Sequence, residues 1–386
     1  MQFLNMKIFR KVLFWCHLTA GLIAGVVIFI MSVTGALLSF QPQIEGFAER
    51  EARFVVVPQN AERLDTQMLL EQVLTAKPDL QPTNFTVYGE ADKAIVIAIG
   101  REGNIYVNPY TAEITGETAK QTRAFFRTIT DWHRWLAADG DNRPVARAVT
   151  GACNLAFLFL AISGVYIWFP RKRSWRHFKA VMIFHPKLKG KARDFNWHNT
   201  IGFWTSLVLI ILTVTASVIS YNWARDLLYT MTGNEPPRPT QRAPQPNSGE
   251  NKKEPFAVPA NINALWERAE AQAPQAKFIA LRLPLEKEAA FTIDEGNSWN
   301  VFGRSRLMLE SETAEVITWE AYNDQNAGRQ LQSWFRFTHT GESFGIVGQT
   351  ISFFACLGGA FLVWTGFSLA WRRFWRWRKK SEPIVE

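Results

Sequence analysis

Four stretches of this sequence, at 12–40, 148–170, 195–221 and 343–371, contain no Asp, Glu, Lys or Arg. Each exceeds the ~20 apolar residues needed to cross a hydrocarbon core of about 30 Å. A buried soluble helix of that length would carry some charge. The stretches predict transmembrane helices at 12–40, 145–170, 195–221 and 343–371. Gly, Ser and Thr recur within them, as close helix–helix contact in lipid favours. The first run is too long for the h-region of a cleaved signal peptide, about 7–15 residues.

The net charge of +9 would suit a polynucleotide partner if it were spread over a folded face, but it is not. Lys7, Arg10 and Lys11 precede the first span, nine Lys or Arg crowd the loop 171–194, and six more lie in the tail 372–386. These 18 basic residues meet only Asp194, Glu382 and Glu386. The long segments 41–143 and 222–342 are mildly acidic. The positive-inside rule places both termini and the short loop in the cytoplasm and the long segments outside, so nucleic acid is not an expected partner. Cys16, Cys153 and Cys356 stand singly in or beside apolar runs. No C-x-x-C-H is present, which excludes covalent c-type haem attachment.

The chain repeats its own plan. In spans one and three, His17 and His198 are each followed by glycine four residues on (Gly21, Gly202). Each is also followed by Val-Thr-small at equal distance, Val33-Thr34-Gly35 and Val214-Thr215-Ala216. Spans two and four share a small-Gly pair, Ser163-Gly164 and Thr365-Gly366. Outside the spans, IYVNPYTAEITGE (105–117) matches LMLESETAEVITWE (307–320) as strand, turn, strand. Helices at 65–77 and 262–272 and strands at 93–99 and 290–293 precede them. A small α+β domain is expected in each half, the second reached through a polar linker at 233–259 with seven prolines. The expected fold is a polytopic α-helical membrane protein with four transmembrane helices and two periplasmic α+β domains, duplicated in parallel.

Of six histidines, four fall at matching places. His17 and His198 lie about one turn inside the cytoplasmic ends of spans one and three. His133, in DWHRWL, and His339, in FTHTGESFG, precede spans two and four on the outer side. One histidine from each half in each leaflet is the arrangement for two bis-His b-type haems, the neutral imidazole being the usual iron ligand. From His17 to Thr34 is 17 residues, roughly 26 Å of helix, so the two haems would occupy opposite leaflets. The bland alternative for any one intramembrane histidine is interhelical hydrogen bonding. Zinc lacks Cys, Asp or Glu at ligand spacing. His177 and His185, in the basic loop, read as solvated residues, with a ligand role open to either if the loop folds back. Gly21, Gly25 and Gly202 would make room for a porphyrin but suit bare helix packing equally. Arg10, Lys11, Arg134 and Arg336 would hold propionates or snorkel to headgroups.

These motifs together, H-x3-G…TG, IYVNPYTAEITGE, DWHRWL, the second H-x3-G and HTGESFG…TGFSLAWRR, resemble the PepSY-associated transmembrane proteins over about residues 10–378. Within that family the chain is most similar to the FoxB-type ferric-siderophore reductases of the bacterial inner membrane. The resemblance implies PepSY-like external domains and two haems, with axial roles for His17, His198, His133 and His339. Thr215-Ala216 departs from the usual Thr-Gly without touching a ligand.

The expected function is an oxidoreductase of the inner (cytoplasmic) membrane. Electrons would pass from the His17/His198 haem to the His133/His339 haem and on to a periplasmic acceptor. The resemblance suggests a ferric siderophore, released as Fe(III) becomes Fe(II). Walls of the acceptor site are expected from Trp132, Trp135, Trp334, Phe335 and Arg336, which suit an interfacial aromatic belt equally. No dinucleotide fingerprint is visible, so the electron donor, quinol or a cytoplasmic flavoprotein, is expected to lie outside this chain. Two rivals remain at this point: a non-enzymatic PepSY-type regulator or sensor of a peptidase or ligand, and a haem-bearing subunit serving a separate redox partner.

Overall fold

The computed structural model describes residues 2–100, 102–169, 174–237 and 255–381. Most of the expected linker, Arg171 to Arg173 and the side chain of His177 lie outside them. In chain order the helices are α1 (Gln2–Leu38), α2 (Gln41–Ala48), α3 (Arg50–Arg53), α4 (Thr66–Ala76), α5 (Lys120–Trp135) and α6 (Arg143–Trp168). They continue with α7 (Trp175–Met182), α8 (Gly190–Ser220), α9 (Asn222–Met231), α10 (Ile262–Gln272), α11 (Ala327–His339) and α12 (Gly345–Ser381). The strands are β1 (Asn84–Tyr88), β2 (Ile95–Ala98), β3 (Asn104–Val107) and β4 (Ile114–Glu117), then β5 (Phe278–Arg282), β6 (Glu288–Asp294), β7 (Ser305–Glu310) and β8 (Val316–Glu320). The chain divides into a helical unit (Met1–Gln41, Phe126–Leu228, Phe335–Glu386) and a sheet unit (Pro42–Phe125, Tyr229–Trp334).

In the helical unit, α1, α6, α8 and α12 are long and apolar enough to cross a membrane. Their outer faces show large apolar side chains, Ile23 at 79% exposed, Leu207 at 68% and Phe354 at 62%, as lipid rather than water requires. Polar residues turn inward instead. Asn154 on α6 donates to the Thr213 carbonyl and to Ser217 Oγ on α8, both at 3.0 Å. On α12, Gly358 and Gly359 let both neighbours approach: a Cβ there would stand 2.5 Å from Thr205 and 2.8 Å from Ser32. Each of α1 and α8 packs on α6 and α12, so α1 and α8 hold opposite corners of a four-helix ring. At one end Asp194, 1% exposed, accepts from Arg193 and Ser368 and pairs with Arg372, tying α8 to α12.

The sheet unit departs from the expectation of two separate α+β domains. All eight strands form one antiparallel sheet in the order β4-β3-β2-β1-β5-β6-β7-β8. The joint is β1 against β5, from Asn84 opposite Arg282 to Tyr88 opposite Phe278. Either four-stranded half alone would leave β1 or β5 as an unpaired edge, and pairing the edges satisfies both rows of backbone groups. α4 and α10 cover this sheet, Leu69, Leu70, Val73, Ile262, Leu265 and Trp266 packing with Phe85, Ile97, Leu281 and Phe291. Asp65 caps α4 at the Met68 N–H, and Asn263 bridges the two helices through Gln67 and Asp65. The shared Thr-Ala-Glu segments are equivalent turns, with Ala112 at φ 55° and Ala314 at φ 57°.

Candidate paired-histidine site

Sequence periodicity did not isolate α5 and α11, yet these amphipathic helices place the two outer histidines. His133 is two residues from the end of α5, where Leu136 and Ala137 turn left-handed (φ 51° and 60°). His339 is the last residue of α11, and Gly341 at φ 80° reverses the chain two residues later. Thr150 Oγ1 on α6 donates to the Arg134 carbonyl at 3.0 Å, fastening the first turn-back. The two imidazoles come together, ring centres 6.3 Å apart and planes inclined at 48°.

His17 and His198 sit within α1 and α8, on the opposite corners of the ring. Both lie 17 residues from the threonine that meets an outer histidine on the same helix, roughly 26 Å along the axis.

All four rings are seated alike. His17 Nδ1 lies 2.8 Å from Ser163 Oγ, His133 Nδ1 2.9 Å from Thr34 Oγ1, and His198 Nδ1 2.9 Å from Thr365 Oγ1. His339 Nδ1 lies 3.3 Å from Thr215 Oγ1 and 3.0 Å from the Leu212 carbonyl. In three seats the next residue is glycine, and a Cβ on Gly164, Gly35 or Gly366 would stand 3.4–3.7 Å from the ring's Cε1. In the fourth it is Ala216, and there the ring lies farther from its hydroxyl. Among the described residues no protein group pairs with any of the four Nε2 atoms, and no three His, Cys, Asp or Glu side chains gather as a metal cluster.

The serine and threonine partners were visible in the sequence only as repeated dipeptides. Which histidine each one faces is a tertiary fact. The glycines also separate by role. Gly25 is demanded by packing, since its Cβ would meet Phe367 at 2.7 Å, whereas Gly21 and Gly202 have ordinary room, 3.8 Å to Leu160 and 3.5 Å to Leu362.

Other predicted residues divide. Arg10 caps the end of α6, its Nη2 donating to the carbonyls of Ile167 and Phe169. Arg134 faces Arg143, Arg147 and Arg336. Burial and those three cations push its pKa down, with Asp131 opposing, so the cluster is short of negative charge. Trp135 lies against both Arg134 and Arg143, each 4.6 Å from its ring centre, and Trp132 is 42% exposed. Arg336 lies over Phe337 at 5.7 Å. Trp334 belongs to the sheet unit and Phe335 to the helical unit. His185 is exposed, its backbone N–H held by Asn196 Oδ1 at 2.9 Å. With Val181, Leu188, Phe195, Asn196 and Asn199 it lines a recess of about 290 Å³ beside the first turns of α8.

Four membrane-crossing helices with paired internal histidines, joined to an antiparallel sheet unit, define a class of membrane protein. The profile of the PepSY-associated TM region matches residues 14–373, and the chain belongs to that family. A search of curated proteins found no match.

Proposed function

We propose that this protein is a transmembrane electron conduit holding two b-type haems, one between His17 and His198 and one between His133 and His339. It delivers electrons to an acceptor in the periplasm, best read as a ferric siderophore. The observation that carries the reading is the His133–His339 pair. Metal–imidazole bonds run about 2 Å, so two in line, with about 1 Å from each nitrogen to its ring centre, separate the centres by about 6 Å; the separation is 6.3 Å. Two imidazoles at that spacing, with no third side-chain ligand among the described residues, would suit a metal that brings its remaining ligands with it.

The chain's residues fit that role. Each histidine is held at Nδ1, leaving Nε2 as the ligating atom. Glycine at 21 and 202, one turn beyond His17 and His198, is not required by helix packing. Arg134, Arg143, Arg147 and Arg336 offer donors to propionates or to an anionic acceptor. A bound haem supplies reversible one-electron chemistry at potentials set by its axial ligands. On the opposite side, the positive-inside rule supports a cytoplasmic position for α7 and the His185 recess, where quinol or a flavoprotein would donate. A ferric siderophore as acceptor rests on the resemblance and on chemistry: hard oxygen donors hold Fe(III) far better than Fe(II), so one electron promotes release.

The test is the absorption spectrum of the purified protein, oxidised and dithionite-reduced, with a haem-to-protein ratio. Two b-type haems per chain are expected, falling toward one in His17→Ala or His339→Ala, with reoxidation of the reduced protein by ferric siderophores. A colourless protein that takes up no haem would overturn the conduit and leave the PepSY-type regulator as the better account.

A further inference from the structure

A hydroxyl has one proton, and at all four histidine seats a carbonyl three or four residues back on the same helix competes with the imidazole for it. Thr34 Oγ1 donates to the Ile30 carbonyl at 2.7 Å, Thr215 Oγ1 to Ile211 at 2.8 Å and Thr365 Oγ1 to Phe361 at 2.8 Å. Ser163 Oγ donates to Leu160 at 3.3 Å. These are the back-bonds that Ser and Thr make inside helices. A hydroxyl whose proton is on that back-bond turns only lone pairs toward the imidazole. An Nδ1 without hydrogen would set lone pair against lone pair at 2.8–3.3 Å. With the hydroxyl proton on the back-bond, the imidazole proton sits on Nδ1 and the bare lone pair on Nε2. At His339 the Leu212 carbonyl, which can only accept, demands the same tautomer.

The hydroxyls are placed reciprocally. His17 on α1 is held by Ser163 on α6, and His133, just before α6, is held by Thr34 on α1. His198 on α8 is held by Thr365 on α12, and His339, just before α12, is held by Thr215 on α8. Each half is thus a helix pair in which each member orients the other's histidine. Each proposed haem takes one ligand from each half, so its two orienting hydroxyls come from different halves.

We propose that Ser163, Thr34, Thr365 and Thr215 are positioning residues that set the Nδ1–H tautomer and aim each Nε2. The proposal rests on the haem reading for its consequence, not for its geometry. Losing an acceptor at Nδ1–H makes an imidazole a poorer electron donor, which disfavours Fe(III) and raises the potential of the haem it ligates. The four effects are graded. Among the described residues Ser163 is the one hydrogen-bond partner of the His17 ring, so Ser163→Ala has the largest effect. At the other three seats a backbone carbonyl remains, Met31 for His133, Leu362 for His198 and Leu212 for His339, so the Thr→Val effects are smaller.

The experiment is a redox titration of the full-length protein in detergent, with parallel nitrogen-15 spectra of histidine-labelled protein in the reduced state. Ser163→Ala, Thr34→Val and Thr365→Val should each raise one midpoint, by about 59 mV for every tenfold loss of preference for Fe(III). Thr34→Ser and Thr365→Ser, which keep the hydroxyl, should titrate as the parent. All four parent rings should be protonated at Nδ1. Parental midpoints in every variant, or equal shifts for the Val and Ser replacements, would overturn the proposal. If the protein carries no haem, the conduit fails separately, and the nitrogen spectra still decide: rings protonated at Nε2 sink the inference, and rings protonated at Nδ1 uphold it.

Discussion

The helical unit and the sheet unit both bury polar side chains, and they treat them differently. In the sheet unit Glu49, whose side chain is fully buried, has both oxygens satisfied. It accepts from Arg53, Tyr106, the Ala119 N–H and Arg123. In the helical unit each of four histidines is hydrogen-bonded at Nδ1 and, among the described residues, without a protein partner at Nε2. Saturation marks a residue whose work is holding the fold together. A half-satisfied group, repeated four times in equivalent seats, marks a place prepared for something else.

The largest stability effect should come from breaking the saturated case. Glu49→Gln keeps the shape but turns an N–H₂ toward two arginines. We expect a cost of roughly 2–3 kcal/mol, below the 3–5 of fully enclosed pairs because the arginines remain partly exposed. Hydrogen exchange at β3 would rise while any haem spectrum stayed as in the parent; unchanged exchange would remove the structural role. Burial alone would push the Glu49 carboxyl up, but hydrogen bonds from Arg123, Arg53 and Tyr106 hold it at about 2, against an ordinary 4.5. The folded value is depressed, so the unfolded chain binds the proton more readily. The stabilisation is present above about pH 4.5 and drains away as pH falls toward 2. Glu49→Gln should flatten stability across that window.

The same contrast governs what could be read without coordinates. The four spans announce themselves because lipid forbids charge over a whole helix, a constraint written in every residue. The β1–β5 joint is invisible in sequence, because edge pairing between segments nearly two hundred residues apart (Asn84 with Arg282) leaves no local mark. The histidines stood out by scarcity and repetition. Their hydroxyl partners are as regularly spaced, but Thr34 and Ser163 look like any small residues in a membrane helix until the helix across from them is known. Glu49 gave no signal among 15 acidic residues of its segment.

A smaller effect tests the helix packing that fixes those seats. A Cβ on Gly358 would meet Thr205 Cγ2 at 2.5 Å and Ile201 Cγ2 at 3.2 Å, both on stiff β-branched side chains. Gly358→Ala should therefore cost roughly 1–3 kcal/mol of thermal stability in detergent. Gly202→Ala, with 3.5 Å to Leu362, should leave the fold unharmed and act, if at all, on haem content. Equal losses of stability from the two would mean that both glycines serve packing alone.

The smallest effect separates the two halves of the sheet. Ala112 and Ala314 both adopt positive φ, which costs a residue with a Cβ roughly 1–2 kcal/mol. Replacement by Gly relieves that strain and returns about 0.4–1 kcal/mol of conformational entropy to the unfolded chain. On those terms alone both replacements stabilise by a few tenths to about 1 kcal/mol. Ala112, however, is 7% exposed and packed into the core beneath the sheet, whereas Ala314 only borders it. Removing the buried methyl of Ala112 forfeits about 0.8 kcal/mol. Ala314→Gly should thus raise the unfolding midpoint of the sheet unit while Ala112→Gly leaves it near the parent. A reversed order would mean that the turns differ in strain despite their matching φ.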